Sequence, residues 1–239
     1  MQRYRAARRD RDLAVLEGFH ALKHALRFGA EVNEAVASRP EELDRLAAEL
    51  APDLAGSLAE RVTPVDAGVL ARLVPHTPRT GVVAIAHRPP IDLAATLADA
   101  RPAPLVLLED PRTMGNMGAC VRVAAAADAA GVLTTGSNDP WHPEALRGAA
   151  GLHFALPVAA IENLPEGDRP LVAIDPEGGE LAPGVLSPRS ILAFGTERYG
   201  LSAELLDRAD ARLAIPMRAG VSSLNLATAV AAVLFSQRL

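Results

Sequence analysis

Three short, uninterrupted apolar runs constrain this chain more than any other feature: Leu105–Leu108 (LVLL), Leu171–Ile174 (LVAI) and Ile191–Phe194 (ILAF). None offers a polar residue to water on either side. A strand of this kind is covered on both faces, as in a parallel sheet flanked by helices. The intervening pattern agrees. It predicts a helix over 116–130, a strand over 131–135 (GVLTT) and a further short strand over 212–215. A closing helix is expected from Ser222 to about Gln237. It is apolar nearly all round and therefore expected to be buried on all sides. The C-terminal part reads as a doubly wound α/β domain.

Upstream, Arg88-Pro89-Pro90 and Arg101-Pro102-Ala103-Pro104 bracket a short helical stretch. Prolines at that density discourage regular structure and mark a linker. Residues 1–100 are accordingly read as one domain and 101–239 as a second. In the first, Leu13–Arg27 reads as an amphipathic helix carrying Leu16, His20, Leu22 and Leu26, followed by helices over 41–50 and 67–73. Strand-like stretches at Val32–Ala37 and Gly81–Ala86 make this a small α/β sandwich.

Composition narrows the function classes. With 49% apolar and 22% charged residues, the 239-residue chain can bury a sizeable core and is not disordered. A single cysteine, Cys120, excludes a disulfide framework and a cysteine-based zinc site, and suits a reducing compartment. The N-terminus MQRYRAARRDRD has no apolar signal region, and the apolar stretch Leu226–Phe235 is about half the ~20 residues of a membrane span. A soluble, cytoplasmic protein is expected, with no membrane partner. The formal net charge of −5 gives no global sign of a polyanionic partner. Yet Arg3, Arg5, Arg8, Arg9 and Arg11 crowd the start against Asp10, either as an arm that tracks a phosphate backbone or as a solvated terminus. The histidines form no metal-ligand spacing, and His20 and His24 read as packed helix positions, so no metal is expected. No dinucleotide-binding glycine fingerprint follows any strand, and no phosphate-binding loop occurs.

Three segments lie at strand ends, where α/β proteins place their ligands. In Glu109–Arg122, Asn116 stands near a helix N-terminus, and Gly115 and Gly118 leave room for close backbone approach. Arg122 has no acid three or four residues away on its helix. It must find its anion elsewhere, either a phosphate or an ion pair across the fold, for which Glu197 is a candidate. In Phe194–Ser202, Gly195, Glu197 and Gly200 form a tight polar loop before a helix. In Ile215–Ala229, Asn225 enters an apolar helix, so it either ties down a neighbouring loop or serves a site, while Ser222 or Ser223 is the expected helix cap.

In order, these segments resemble the three motifs of the SpoU/TrmH-type RNA 2′-O-ribose methyltransferases of the SPOUT superfamily. N-x-G-x-x-x-R matches Asn116, Gly118 and Arg122. G-x-E-x-x-G-L-S matches Gly195, Glu197, Gly200, Leu201 and Ser202. I-P-M followed by S-L-N matches Ile215, Pro216, Met217, Ser223, Leu224 and Asn225. The likeness covers about residues 105–239. Residues 16–25 and 76–84 resemble the family's ribosomal-protein-like RNA-binding domain. One departure is the four residues between Asp110-Pro111 and Asn116, where many relatives have one.

The resemblance implies S-adenosylmethionine as methyl donor, an RNA substrate, a deep trefoil knot and a homodimer formed through the C-terminal domain. It places Gly195, Ile215 and Leu224 against the cofactor, with Phe194, Gly200 and Ser223 as neighbours. Arg122, Asn116, Glu197 and Asn225 become the catalytic set. The expected function is 2′-O-methylation of a ribose in structured RNA, ribosomal RNA before transfer RNA. The alternatives are a non-catalytic RNA-binding module on the same fold and a nucleotide-cofactor oxidoreductase.

Overall fold

The computed structural model describes residues 2–196 and 198–236. In chain order the elements are α1 (Gln2–Ala7), β1 (Leu13–Glu17), α2 (Phe19–Arg27), β2 (Val32–Ala37), α3 (Pro40–Leu50), α4 (Ala55–Arg61), β3 (Val62–Pro64), α5 (Ala67–Leu73), β4 (Val82–His87) and α6 (Leu93–Ala98). There follow β5 (Leu105–Leu108), α7 (Met114–Ala126), β6 (Gly131–Thr134), α8 (Pro143–Gly148), β7 (Val158–Ala160), β8 (Leu171–Glu180), β9 (Ile191–Phe194), α9 (Ala203–Arg208), β10 (Ala211–Ala214) and α10 (Leu226–Ser236). The chain divides into two compact units, Met1–Pro90 with Trp141–Ala155 and Ile91–Pro140 with Leu156–Leu239. The division at Pro90 falls inside the proline-rich stretch. The return of Trp141–Ala155 to the first unit was not foreseen.

The first unit is a four-stranded sheet of order β1-β4-β2-β3, in which β4 runs antiparallel to both neighbours and β3 parallel to β2. Leu13–Arg27 is not one helix. β1 pairs along β4 from Leu13↔His87 to Glu17↔Val83, and the chain turns at Gly18 before α2 begins. Gly18 sits at φ 103°, a region that a side chain disfavours, so the glycine breaks what reads as continuous helical periodicity. The basic N-terminus is the helix α1, packed by Tyr4 and Ala7 into a core with Val15, Val36, Leu70 and Ile85. Two of its arginines are engaged: Arg3 pairs with Glu34 at 2.9 Å and Arg8 with Glu17. Arg5, Arg9 and Arg11 remain exposed.

Trp141–Ala155 docks on this unit through several independent contacts. Arg147 reaches Glu17 at 3.2 Å, His24 Nδ1 donates to the Ala150 carbonyl at 2.7 Å, and the Arg88 guanidinium lies 5.8 Å from the Trp141 ring centroid. Glu17 is thus a buried carboxylate with two guanidinium partners, which is the condition for keeping such a charge out of water.

The second unit holds a six-stranded, wholly parallel sheet of order β10-β8-β9-β5-β6-β7. The apolar runs form its centre. All four residues of β5 have no exposed surface, and Ile191–Phe194 of β9 are at most 4% exposed. β8 continues to Glu180, beyond the expected Ile174, and pairs with β10 across a register shift between Arg212 and Leu213. At the amino ends of β5, β8 and β9, Arg169 donates to the carbonyls of Asp99, Leu97, Ala103 and Arg189 at 2.7–3.1 Å, so a buried cation ties the chain entering β5 to the one entering β9.

The closing helix departs from expectation. It begins at Leu226 rather than Ser222, and only Leu226, Val230, Val233 and Leu234 are buried; Thr228, Ala232 and Phe235 are exposed. Its expected end at Gln237 lies outside the described residues. No described helix is long and apolar enough to cross a membrane.

Candidate active site

The carboxyl ends of β9 and β10 and the middle of β8, where its pairing with β9 stops, line a cavity of about 360 Å³. Ile174 and Asp175 bound it from β8, Phe194 to Thr196 from the end of β9, and Ile215 and Met217 from the chain leaving β10. Ser222, Ser223 and Leu224 complete it ahead of α10. All six residues expected at a cofactor, Phe194, Gly195, Gly200, Ser223, Leu224 and Ile215, line this one space.

The loop after β9 is folded back on itself. Thr196 and Gly200 exchange backbone hydrogen bonds at 3.0 and 3.1 Å, and the Tyr199 N–H donates to Thr196 Oγ1 at 2.9 Å. Gly195 has no room for a side chain, because a Cβ there would collide with the backbone of Gly200 and Leu201. This is the close approach that a glycine permits. Gly115, expected to play a similar part, does not: nothing lies within 4 Å of a Cβ built on it.

Two carboxylates brace the loops. Glu109, at the end of β5, accepts from the Ser202 N–H at 2.7 Å and from Ser202 Oγ at 2.6 Å, and Ser202 Oγ in turn caps α9 by accepting from Leu205 N–H at 3.2 Å. Asp175 Oδ1 accepts from Arg212 Nη2 and Nε at 2.7 and 3.0 Å, and Arg212 also pairs with Glu177 at 2.9 Å. The strength of the Asp175 bond holds the Arg212 guanidinium even more firmly protonated than usual. Neither brace was read from the sequence. The only signal for each was an acid one residue past an apolar run.

Asn116 and Asn225 are brought together. Asn225 Nδ2 donates to Asn116 Oδ1 at 3.1 Å, while Asn225 Oδ1 accepts from the N–H groups of Ala227 and Thr228 at 3.0 and 3.4 Å. Asn225 is therefore the N-cap of α10 and exposed, not a polar residue buried in an apolar helix. Ser222 and Ser223, the expected caps, lie in the irregular stretch ahead of it. Arg122 stands exposed on α7, outside the cavity lining, and forms no hydrogen bond or ion pair with another described residue. Glu197, the candidate for the ion-pair alternative, lies outside the described residues. Among the described residues no three His, Cys, Asp or Glu side chains gather as a metal-binding group.

The SpoU rRNA Methylase family model matches residues 103–235. An uncharacterized tRNA/rRNA methyltransferase of Mycobacterium bovis is 35% identical over 202 residues, 79% of this chain and 69% of the relative. The 23S rRNA (guanosine(2553)-2′-O)-methyltransferase of Bacillus subtilis is 35% identical over 170 residues, 66% of this chain and 64% of its own length. Among solved structures, an AdoMet-bound rRNA methyltransferase from Sinorhizobium meliloti superposes with a TM-score of 0.76 at 25% identity, covering 99% of this chain and 93% of that one. The SpoU methyltransferase AviRb from Streptomyces viridochromogenes, in complex with AdoMet, shares the fold with a TM-score of 0.79 at 23% identity, covering 98% and 95%.

Proposed function

The chain belongs to the SpoU rRNA methylase family, and from that premise we propose that this RNA methyltransferase moves a methyl group from S-adenosylmethionine to a ribose 2′-hydroxyl of ribosomal RNA. The observation that carries the reading is the cavity at the ends of β9 and β10 and the middle of β8, with Gly195 and Gly200 in its wall, together with an exposed Arg122 on α7 that has no partner among the described residues. Its volume is that of a small-molecule site. Its wall is mixed as an adenosine-bearing amino acid requires: Ile174, Phe194, Ile215 and Leu224 offer apolar surface, and backbone groups of the Gly195–Gly200 loop and of Ser222 and Ser223 offer polar partners. When bound, S-adenosylmethionine supplies a methyl group on a positively charged sulfur.

The residues of the chain then have distinct tasks. Methyl transfer is an in-line displacement, so holding the hydroxyl in position supplies much of the rate. Arg122 binds and polarises the 2′-hydroxyl and the adjacent phosphate through its planar fork of donors. A guanidinium titrates too high to be a good general base, so this is a binding role first. The Asn116–Asn225 bond fixes the start of α10 against α7, and Glu197 joins this set by its place in the second motif. The relatives' names favour ribosomal over transfer RNA.

The same reading assigns the first unit to RNA binding, with Arg5, Arg9 and Arg11 as the phosphate-facing arginines, since Arg3 and Arg8 have partners within the fold. It assigns the family's trefoil knot to the second unit, a homodimer to the exposed apolar side chains around α10, and a cytoplasmic site of action. The test is twofold. Purified protein with labelled S-adenosylmethionine should methylate ribosomal RNA and yield 2′-O-methylnucleosides on digestion. RNA from cells lacking the protein should miss that mark at one position. Label recovered on a base, or only in transfer RNA, would overturn the corresponding part of the reading.

A further inference from the structure

Aromatic residues make up only 3% of this chain, and the other tyrosine, Tyr4, is 1% exposed. Tyr199 is 81% exposed, the most solvent-facing of the large apolar side chains among the described residues. It stands on the folded-back loop after β9, next to Arg198, which lines the cavity, and its backbone is pinned by Thr196 Oγ1 and by the Thr196–Gly200 pairing. Leu224, 40% exposed, lines the same cavity. A ring presented to solvent on a braced loop, between two residues that line the cavity, Arg198 and Gly200, has the features of a platform for an unpaired base. Aromatic and Arg side chains both stack on base faces, and every base has one.

We infer that Tyr199 stacks on an unpaired base beside the acceptor ribose, so that the enzyme accepts nucleotides in loops or single strands and not within a duplex. Arg198 contributes charge to the same contact. The inference rests on the function proposed above. Tyr199 is a substrate-binding residue in this proposal: it holds the base and touches no reacting atom.

The test compares the wild type with Tyr199→Phe and Tyr199→Leu. Binding to a short labelled single-stranded oligoribonucleotide, and to the same strand in a duplex, is read by fluorescence anisotropy. Stacking predicts that Phe preserves single-strand affinity within about twofold, whereas Leu weakens it by roughly 5- to 150-fold, the range that base–aromatic stacking converts to. Duplex affinity should not move. Calorimetry with S-adenosylmethionine and mass analysis of the oligomer accompany each variant. Equal single-strand affinity of wild type and Tyr199→Leu overturns stacking, as does a wild type that does not bind the single strand. A Leu variant that loses affinity only together with dimer mass reassigns the ring to a contact between copies and overturns it as well. A wild type that takes up no S-adenosylmethionine overturns the underlying function instead.

Discussion

Asn225 joins two helices with one side chain: its amide donates to Asn116 Oδ1 at 3.1 Å while its carbonyl oxygen caps α10 at Ala227 and Thr228. The two halves of this arrangement separate by mutation. Asn225→Asp keeps the acceptor that caps the helix and removes the donor to Asn116; Asn225→Ala removes both. The cap is worth about 1 kcal/mol. Thermal denaturation should therefore show Asn225→Ala destabilised by roughly that amount relative to Asn225→Asp. Both should lose methyl transfer, because both release α10 from Asn116. Full activity in the Asp variant would show that the inter-helix bond has no catalytic consequence.

Gly195→Ala places a methyl group into the backbone of Gly200 and Leu201. Overpacking of this kind costs about 1–3 kcal/mol. If the loop yields rather than the sheet, the cost appears as a loss of S-adenosylmethionine affinity of roughly 5- to 150-fold by calorimetry. Gly115→Ala is the control. It lies in α7 with open space around it, and alanine there should leave affinity unchanged and add up to about 1 kcal/mol of helix stability. Equal effects of the two substitutions would remove the special status of Gly195.

His24 gives the first unit a pH dependence of known sign. Burial holds its imidazole below the ordinary range, and the cations Lys23 and Arg27 push the same way, against the bond to the Ala150 carbonyl. The folded state then binds fewer protons than the unfolded state below pH ~6.5. Stability contributed by neutral His24 is present above that pH and lost as pH falls towards the depressed folded value. His24→Asn keeps a donor towards Ala150 without the titration. The difference in melting temperature between wild type and variant should change in the variant's favour between pH 7.5 and 5. A constant difference would mean that His24 does not titrate on unfolding.

How far the residues spoke for themselves varied with the kind of information involved. The runs 105–108, 171–174 and 191–194 were legible because a strand buried on both faces needs nothing but apolar side chains, and β5, β8 and β9 follow. Leu13–Arg27 misled because Leu16, Leu22 and Leu26 keep helical spacing across a break made by the single residue Gly18. The return of Trp141–Ala155 to the first unit had no local signal. It depends on Glu17, His24 and Arg88, which lie 53–130 residues away in sequence. Ordered motifs located the cavity wall, since backbone positions near glycines are fixed by local pattern. The braces Glu109–Ser202 and Asp175–Arg212 were invisible, because an acid after a strand looks the same whether it meets solvent or a partner.

We propose that Arg122 acts on the substrate and not on the fold. It is exposed and makes no ion pair with another described residue. The direct measurement is the single-turnover rate of methyl transfer by Arg122→Ala, taken with the melting temperature of the same preparation. Loss of a preorganised charged donor predicts a fall of at least ~10²-fold with S-adenosylmethionine binding and melting temperature nearly unchanged. Arg122→Lys should not restore the rate, since an ammonium cannot reproduce the planar fork. A lower melting temperature with turnover per folded molecule retained would mean that Arg122 supports the fold and does not act on the substrate.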